Sequence, residues 1–264
     1  MAVIAVSSNA TIKHGLLSST AANRRGVQIR KKITPPIRNT TTRAQSSILS
    51  DVTQAPPDPI LGVSVAFREC QNPNKLNLGV GAYRTEELKP YVLDVVKLAE
   101  KEMLAKGYDK EYLPMQGLAE FNTATAELLL GKDSEVIANK RIATVQSLSG
   151  TGSLRVGAAF IQKFLPGAKV YLPSPTWGNH KNIFADAGVD WGEYKYYDSE
   201  TIGLDLEGML SDLSKAPEGS VVILHGCAHN PTGVDPTMDQ WKEIADVVEK
   251  NKLIPFFDVA YQGF

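Results

Sequence analysis

The sequence has few cysteines and no long apolar run, and each shortage excludes a class of protein. Its 264 residues include two cysteines, Cys70 and Cys227, which are too few for the disulfide framework of a small secreted domain. No apolar stretch approaches the roughly 20 residues that a membrane-spanning helix needs. With 43% hydrophobic residues, the chain can still bury a sizeable core. Cys227 follows an apolar run and is therefore predicted to be a small core residue rather than a nucleophile.

Acidic residues are absent from the first fifty positions. This segment holds eight Lys or Arg residues, many Ser and Thr, and no Asp or Glu, a composition typical of an organelle transit peptide. Because its first ten residues are uncharged, a plastid (chloroplast) address is favoured over a mitochondrial one, and a basic disordered tail is the remaining alternative. Residues 51–264 then hold 20 basic and 29 acidic residues, a net charge of −9. They lack the basic stripe of a nucleic-acid-binding protein.

The common nucleotide and metal motifs are also missing. A glycine-rich segment, residues 149–152 (SGTG), is predicted as a turn between a strand and a helix, where backbone N–H groups can hold a phosphate. No Gly-Lys-Thr follows it, as a Walker A loop requires, and the third glycine of the dinucleotide fingerprint is absent. No group of His, Cys and acidic residues has metal-ligand spacing, so no metal site is predicted.

From residue 141 onward, apolar runs and helical patterns alternate. Strands are predicted at residues 142–148, 168–172, 194–197, 221–225 and 253–257, and helices at 153–164, 178–187, 204–213 and 238–250. This alternation predicts an α/β fold with a mostly parallel sheet and helices on both faces. Upstream, helices are predicted at 59–70, 91–104 and 118–130. The predicted domains are a transit peptide (1–50), an N-terminal arm with the start of a small domain (51–90), and a large domain (91–264).

Two of the predicted strands end in polar residues that suit a binding site. Residues 221–233 (VVILHGCAHNPTG) run from a buried strand into a polar turn that contains Asn230, and the next strand is followed by Asp258. Open α/β sheets bind ligands at such strand ends. Asp258 suits a protonated ring nitrogen such as that of pyridoxal phosphate. The alternative is that the first segment is only a turn and Asp258 only a cap.

Three further side chains are candidates for the same site. Trp177 offers a flat face for stacking on a ring, although a buried core indole is the alternative. His180 and His225 can orient an acid such as Asp258, or be structural histidines that are simply hydrogen-bonded.

Six segments together resemble the aspartate aminotransferases, which are class I pyridoxal-phosphate-dependent enzymes, and most closely the plastid forms of plants. They are residues 76–85 (LNLGVGAYRT), 111–121 (EYLPMQGLAEF), 147–154 (SLSGTGSL), 174–180 (SPTWGNH), 225–236 (HGCAHNPTGVDP) and 255–264 (PFFDVAYQGF). The resemblance implies the large domain of a type I pyridoxal-phosphate-dependent transferase fold. It also implies pyridoxal 5'-phosphate as cofactor, a homodimer, and amino transfer from L-aspartate to 2-oxoglutarate that gives oxaloacetate and L-glutamate.

The resemblance also implies roles for matching residues. Ser149, Gly150 and Thr151 would belong to the cup that holds the cofactor phosphate. Tyr112 would reach the phosphate of the neighbouring subunit, and Gly81 would lie at the substrate carboxylate.

The remaining implied roles concern the cofactor ring. Trp177 would stack on the ring and contact substrate, and Asp258 would pair with the pyridinium nitrogen, supported from behind by His180. Asn230 would hydrogen-bond the ring phenolate oxygen and a substrate carboxylate, and Tyr261 would bond the same ring oxygen.

One departure from the family pattern concerns catalysis. The Schiff-base lysine of the family and its substrate-binding arginines lie beyond the part that matches residues 255–264, so we expect an amino-terminal fragment that is inactive alone. Lys169, Lys195 and Lys252 fall at predicted element borders and are not substitutes. Two alternatives remain open: a non-catalytic truncated product or interaction fragment, and an unrelated nucleotide-binding module.

Overall fold

A computed structural model of the chain describes residues 3–4, 47, 49–53, 59–77, 79 and 81–262. The predicted transit peptide at residues 1–50 therefore falls almost wholly outside the described residues. The chain divides into two compact units, one formed by Leu16–Lys110 and one by Met1–Gly15 with Glu111–Phe264. The domain boundaries predicted at residues 50 and 90 stay predictions.

The described part of the unit Leu16–Lys110 contains two helices. Helix α1 spans Pro59–Glu69 and helix α2 spans Asp94–Lys106. Proline suits the first position of α1, because the N–H that it lacks has no partner inside a helix there. Helix α2 ends at Gly107, whose φ of +60° suits glycine and whose N–H donates to the Leu104 carbonyl. No residue of α2 is buried.

The second unit contains the remaining described helices and strands. The helices are α3 (Ala119–Leu130), α4 (Glu135–Ala138), α5 (Ser149–Phe164), α6 (Gly178–Asp186), α7 (Leu206–Ser214) and α8 (Met238–Lys250). The strands are β1 (Val3–Ile4), β2 (Ala143–Thr144), β3 (Val170–Ser174), β4 (Trp191–Lys195), β5 (Tyr197–Asp198), β6 (Gly203–Leu204), β7 (Val221–His225) and β8 (Ile254–Asp258). Strands β4, β3, β7 and β8 form one parallel sheet in that order.

Helices cover this sheet on both faces. All five residues of β7 are buried, and successive side chains of a strand point to opposite faces. Val221 and Ile223 belong to a core cluster with residues of α5 and α6, whereas Val222 and Leu224 belong to a second cluster with residues of α7 and α8. The predicted α/β fold with a parallel sheet between helices is therefore confirmed.

Close packing of α5 on the sheet depends on one glycine. A Cβ atom added at Gly157 would lie 2.7 Å from the Phe256 ring on β8. Because interiors are close-packed, a side chain at this position would push the helix away from the strand. Gly157 thus sets the distance between α5 and the part of the sheet that carries Asp258.

Several predicted elements differ from the structure. The strand predicted at residues 142–148 is reduced to β2, which pairs in parallel with β1. The glycine-rich segment 149–152 is the first turn of α5 rather than a separate turn, because the Gly152 N–H donates to the Leu148 carbonyl at 2.9 Å and closes a helical turn. The strand predicted at 194–197 is divided between β4 and β5, and β5 pairs with β6 in an antiparallel hairpin.

None of the helices in the described part of the chain is long and apolar enough to cross a membrane.

Candidate functional site

The candidate site lies at the carboxyl edge of the parallel sheet. Strands β7 and β8 pair His225 with Asp258 at this edge, and β3 leads into the loop that carries Trp177. A cavity of about 170 Å³ opens there. Its lining comprises Gly150, Leu154, Trp177, His225, Cys227, Ala228, Asn230, Asp258, Ala260 and Tyr261. Among the described residues, no lysine lines this cavity.

Asp258 is held by a chain of hydrogen bonds that runs into the core. His180 is fully buried on α6, and its Nε2 lies 3.0 Å from Asp258 Oδ2. Its Nδ1 lies 2.7 Å from the hydroxyl of Thr176. Since an ionised carboxylate only accepts, His180 donates to Asp258 through Nε2. The Asp258 carboxylate is therefore oriented by a buried residue behind it.

The charge of Asp258 is stabilised by the same neighbours. Burial by itself raises the pKa of this carboxyl, but the hydrogen bond from His180 and the interactions with His180 and His225 outweigh burial and lower the pKa below its ordinary value. Its side chain keeps 28% exposure. Asp258 is thus an oriented anion that faces the cavity and suits a cationic N–H group.

Two buried histidines near Asp258 are held in the neutral form. Burial, with a smaller contribution from His180, lowers the pKa of His225 to about 4. Burial and His225 lower the pKa of His229 to about 3. The His225 and His229 rings stack with centroids 4.3 Å apart. At neutral pH both the His225 and the His229 ring are therefore uncharged.

His180, His225 and Asp258 could hold a metal ion by proximity, because their ligand atoms lie within 4.8 Å of one another. The backbone N–H of Asn230 donates to His225 Nδ1 at 3.0 Å, so the neutral His225 ring carries its proton on Nε2. His180 Nε2 also carries a proton, which it donates to Asp258. Neither Nε2 has a free lone pair for a metal. The prediction of no metal site stays a prediction.

The walls of the cavity come from four separate segments. Trp177 is half-buried and meets the His180 ring edge-on, with centroids 5.4 Å apart. Asn230 and Tyr261 contribute exposed polar side chains from the loops after β7 and β8. Gly150 lies in the first turn of α5, where backbone N–H groups have no carbonyl partner inside the helix. A helix N-terminus of this kind attracts anions.

The structure places the other predicted residues differently. Ser149 and Thr151 flank Gly150 at the start of α5 but do not line the cavity. Tyr112 is fully exposed. Gly81 is exposed and belongs to the other compact unit. The roles that the resemblance implies for these residues stay predictions.

The prediction that Cys227 is a core residue is wrong. Cys227 is exposed and lines the cavity, with its thiol 3.4 Å from the Ala260 carbonyl. It follows Gly226, which lies just beyond the end of β7, so the buried part of the strand ends before it.

Sequence reasoning also missed residues that support the site. Thr176 supports His180, and Asp235 binds the backbone of the turn that carries Asn230. The signal for Thr176 was its place four residues before His180, the spacing of one helical turn, at the start of a helix.

Comparisons with known proteins agree with this geometry. The family model described as aminotransferase class I and II matches residues 73–264. The chain is 65% identical over 224 residues to the chloroplastic aspartate aminotransferase of Arabidopsis thaliana, which covers 85% of this chain and 49% of that relative. It is 66% identical over 213 residues to the mitochondrial aspartate aminotransferase P2 of Lupinus angustifolius, and this match covers 81% of this chain and 47% of that relative. The chain thus spans about half the length of these curated relatives.

Solved structures give the same result. The aromatic-amino-acid aminotransferase of Burkholderia pseudomallei, covalently bound to pyridoxal phosphate, matches with a TM-score of 0.78 and 45% identity, over 83% of this chain and 55% of that chain. The cytoplasmic aspartate aminotransferase of Saccharomyces cerevisiae matches with a TM-score of 0.78 and 43% identity, over 83% of this chain and 54% of that chain. Since the family model covers most of the sequence, the chain belongs to the class I and II aminotransferases.

Proposed function

We propose that the whole protein is an aspartate aminotransferase that uses pyridoxal 5'-phosphate to exchange the amino group between L-aspartate and 2-oxoglutarate, with oxaloacetate and L-glutamate as products. The observation that carries this proposal is the ionised Asp258 carboxylate, fixed by buried His180 at the floor of a cavity beside Trp177. The aspartate aminotransferases among the relatives support the choice of substrates. Family membership argues against an unrelated nucleotide-binding module, and the relatives do not favour a non-catalytic interaction fragment.

The residues at the cavity fit this cofactor. Asp258 is an anion that would pair with the pyridine N–H, and Trp177 presents an aromatic face to the ring. Asn230 and Tyr261 supply hydrogen-bond donors for the ring oxygen. Gly150 lines the cavity from the first turn of α5, and the N–H groups of this turn, with the hydroxyls of the flanking Ser149 and Thr151, would suit the phosphate. The bound cofactor would supply an electron sink for the substrate carbanion.

The residues of this chain would contribute by charge and position. Asp258 would keep the ring nitrogen protonated, because its lowered pKa maintains a negative charge across the working pH range. His180 would prevent rotation of that carboxylate. Trp177 would exclude water from one face of the ring. These effects are present before the ligand binds, which is the condition for efficient electrostatic stabilisation.

We further propose a homodimer in which Tyr112 contacts the cofactor phosphate of the neighbouring subunit and Gly81 lies at the substrate carboxylate. The full exposure of the Tyr112 ring leaves it free for such a contact. Glycine at position 81 would allow close approach of a carboxylate to the backbone.

The first test is the reaction of the complete enzyme. We expect pyridoxal-phosphate-dependent formation of oxaloacetate and glutamate. A coupled assay that reduces oxaloacetate measures its rate of formation. Asn230→Ala should lower kcat/KM by about tenfold or more, the effect of losing one hydrogen bond to a charged group. Asn139→Ala, a change of an exposed asparagine at the C-cap of α4, is the matched control. Transfer from aromatic amino acids with none from aspartate would contradict the proposed substrate.

We propose that residues 1–50 direct the protein to the plastid, as their basic, acid-free and hydroxyl-rich composition suggests. A fluorescent reporter fused to this segment should enter chloroplasts and be cleaved there. A matched segment with Asp in place of the eight basic residues should stay in the cytosol. Delivery of the unchanged fusion to mitochondria, as the name of the Lupinus angustifolius relative allows, would contradict the plastid proposal.

A further inference from the structure

The turn that carries Asn230 contains no helix or strand, yet side chains bind three of its consecutive backbone N–H groups. Asp235 Oδ2 accepts from the N–H of Ala228 at 2.8 Å, and Asp235 Oδ1 accepts from the N–H of His229 at 2.9 Å. His225 Nδ1 accepts from the N–H of Asn230 at 3.0 Å. The backbone is therefore tied both to a carboxylate and to the end of β7.

Asp235 also compensates an unfavourable backbone conformation. Ala228 has a φ of +48°, a left-handed conformation that residues with a Cβ rarely adopt and that surrounding structure must stabilise. Successive N–H groups around such a residue converge into an anion-binding nest. The Asp235 carboxylate occupies this nest with two charge-assisted hydrogen bonds, which are stronger than neutral ones. Loss of its charge would release the conformation of the turn.

Ring stacking also holds the turn that carries Asn230. The buried His229 ring lies between Tyr196, at a centroid distance of 3.8 Å, and His225, at 4.3 Å. The Tyr196 hydroxyl donates to the Val234 carbonyl at 2.6 Å. Asn230 is thus flanked on both sides by anchored residues, although its own side chain is exposed at the cavity.

We propose that Asp235 is a positioning residue that holds the Asn230 amide at the cavity before any ligand binds. It does not line the cavity itself. This inference rests on the proposed function, in which Asn230 contacts the pyridoxal ring. Asp235 then acts on the cofactor only through Asn230, so its removal and the removal of the Asn230 side chain have the same consequence.

A double-mutant cycle in the complete enzyme tests this dependence, with the dissociation constant of pyridoxal phosphate measured by fluorescence titration. Asn230→Ala and Asp235→Asn are each expected to weaken binding by about tenfold, the effect of one hydrogen bond to a charged group. The double variant should bind no more weakly than Asn230→Ala alone. Asp239→Asn, which changes an 88%-exposed carboxylate on α8, should leave binding unchanged. Additive losses in the double variant would overturn the proposal.

Hydrogen exchange gives a readout that needs no cofactor. Asp235→Asn should accelerate exchange of the Ala228 and His229 amides, whereas Asp239→Asn should not. Unchanged exchange in Asp235→Asn would overturn the positioning role of Asp235. If Asp235→Asn does not fold, Asp235→Glu, which keeps the carboxylate but moves it by one methylene group, replaces it.

The measurements distinguish a failure of the positioning role of Asp235 from a failure of the proposed function. If Asn230→Ala weakens pyridoxal phosphate binding and Asp235→Asn does not, the positioning role fails and the proposed function stands. If Asn230→Ala has no effect while the unchanged protein binds the cofactor, the contact assigned to Asn230 fails, and the positioning role fails with it. If the unchanged complete enzyme does not bind pyridoxal phosphate, the proposed function itself fails.

Discussion

Replacing Asp258 with alanine is expected to lower amino transfer by the complete enzyme by at least about 10²-fold, the size of effect seen when one preorganised electrostatic group is removed. The physical reason is that no other charged side chain lines the described cavity, so the ring nitrogen would lose its anionic partner. Turnover with aspartate and 2-oxoglutarate measures the effect. Near-normal turnover would contradict the role of Asp258.

The Asp258→Ala variant should still fold, but with a lower free energy of unfolding. Asp258→Ala leaves the fully buried His180 Nε2 without its acceptor, and an unsatisfied buried donor costs about 1–3 kcal/mol. Circular dichroism and thermal unfolding separate this loss of stability from the loss of activity. Asp258→Asn keeps an acceptor for His180 but lacks the negative charge, so it should fold better than Asp258→Ala and remain nearly as inactive. Asp239→Ala on α8 is the matched control for loss of an acidic side chain.

These 264 residues on their own are expected to show no amino transfer and no covalent trapping of pyridoxal phosphate at a single lysine. In the part of the chain that the structure describes, no lysine lines the cavity. Lys169 and Lys252 precede β3 and β8, at the opposite edge of the sheet from Asp258, and Lys252 pairs with Glu218. Lys195 ends β4, two strands away from β7. An amine from outside the described lining is needed for attachment and for proton transfer.

Borohydride reduction in the presence of pyridoxal phosphate, followed by peptide mass spectrometry, checks this expectation. Weak labelling spread over many exposed lysines is the expected pattern, and the complete enzyme, labelled at one lysine, is the positive control. Stoichiometric labelling at one lysine together with turnover of aspartate would contradict it.

Elements with strong local signals were predicted well from the sequence. Strand β7 was predicted with its observed bounds because an uninterrupted apolar run of this length fits a strand buried on both faces. Helix α8 was also predicted with its observed bounds, and the structure shows why it starts where it does. Thr237 and Gln240 form a capping box at its first turn. In both elements, residues close in sequence supply the decisive interactions.

Elements that depend on distant partners were predicted less well. The apolar run at residues 142–148 forms only the short strand β2, since strand length depends on the partner strand as well as on side-chain pattern. Cys227 is exposed because the chain leaves the sheet directly after His225, a point that apolar character alone does not mark.

The sequence by itself determined that the chain alternates strands and helices, and that Asn230 and Asp258 lie at strand ends, because these features follow from local periodicity and turn chemistry. Only the tertiary structure decided which groups meet. His180 and Asp258 are 78 positions apart, and Asp235 reaches back to Ala228 across a turn with no regular pattern. Such contacts depend on strand order and close packing, which bring together residues that share no local signal. The oriented charge of Asp258 is therefore a property of the fold.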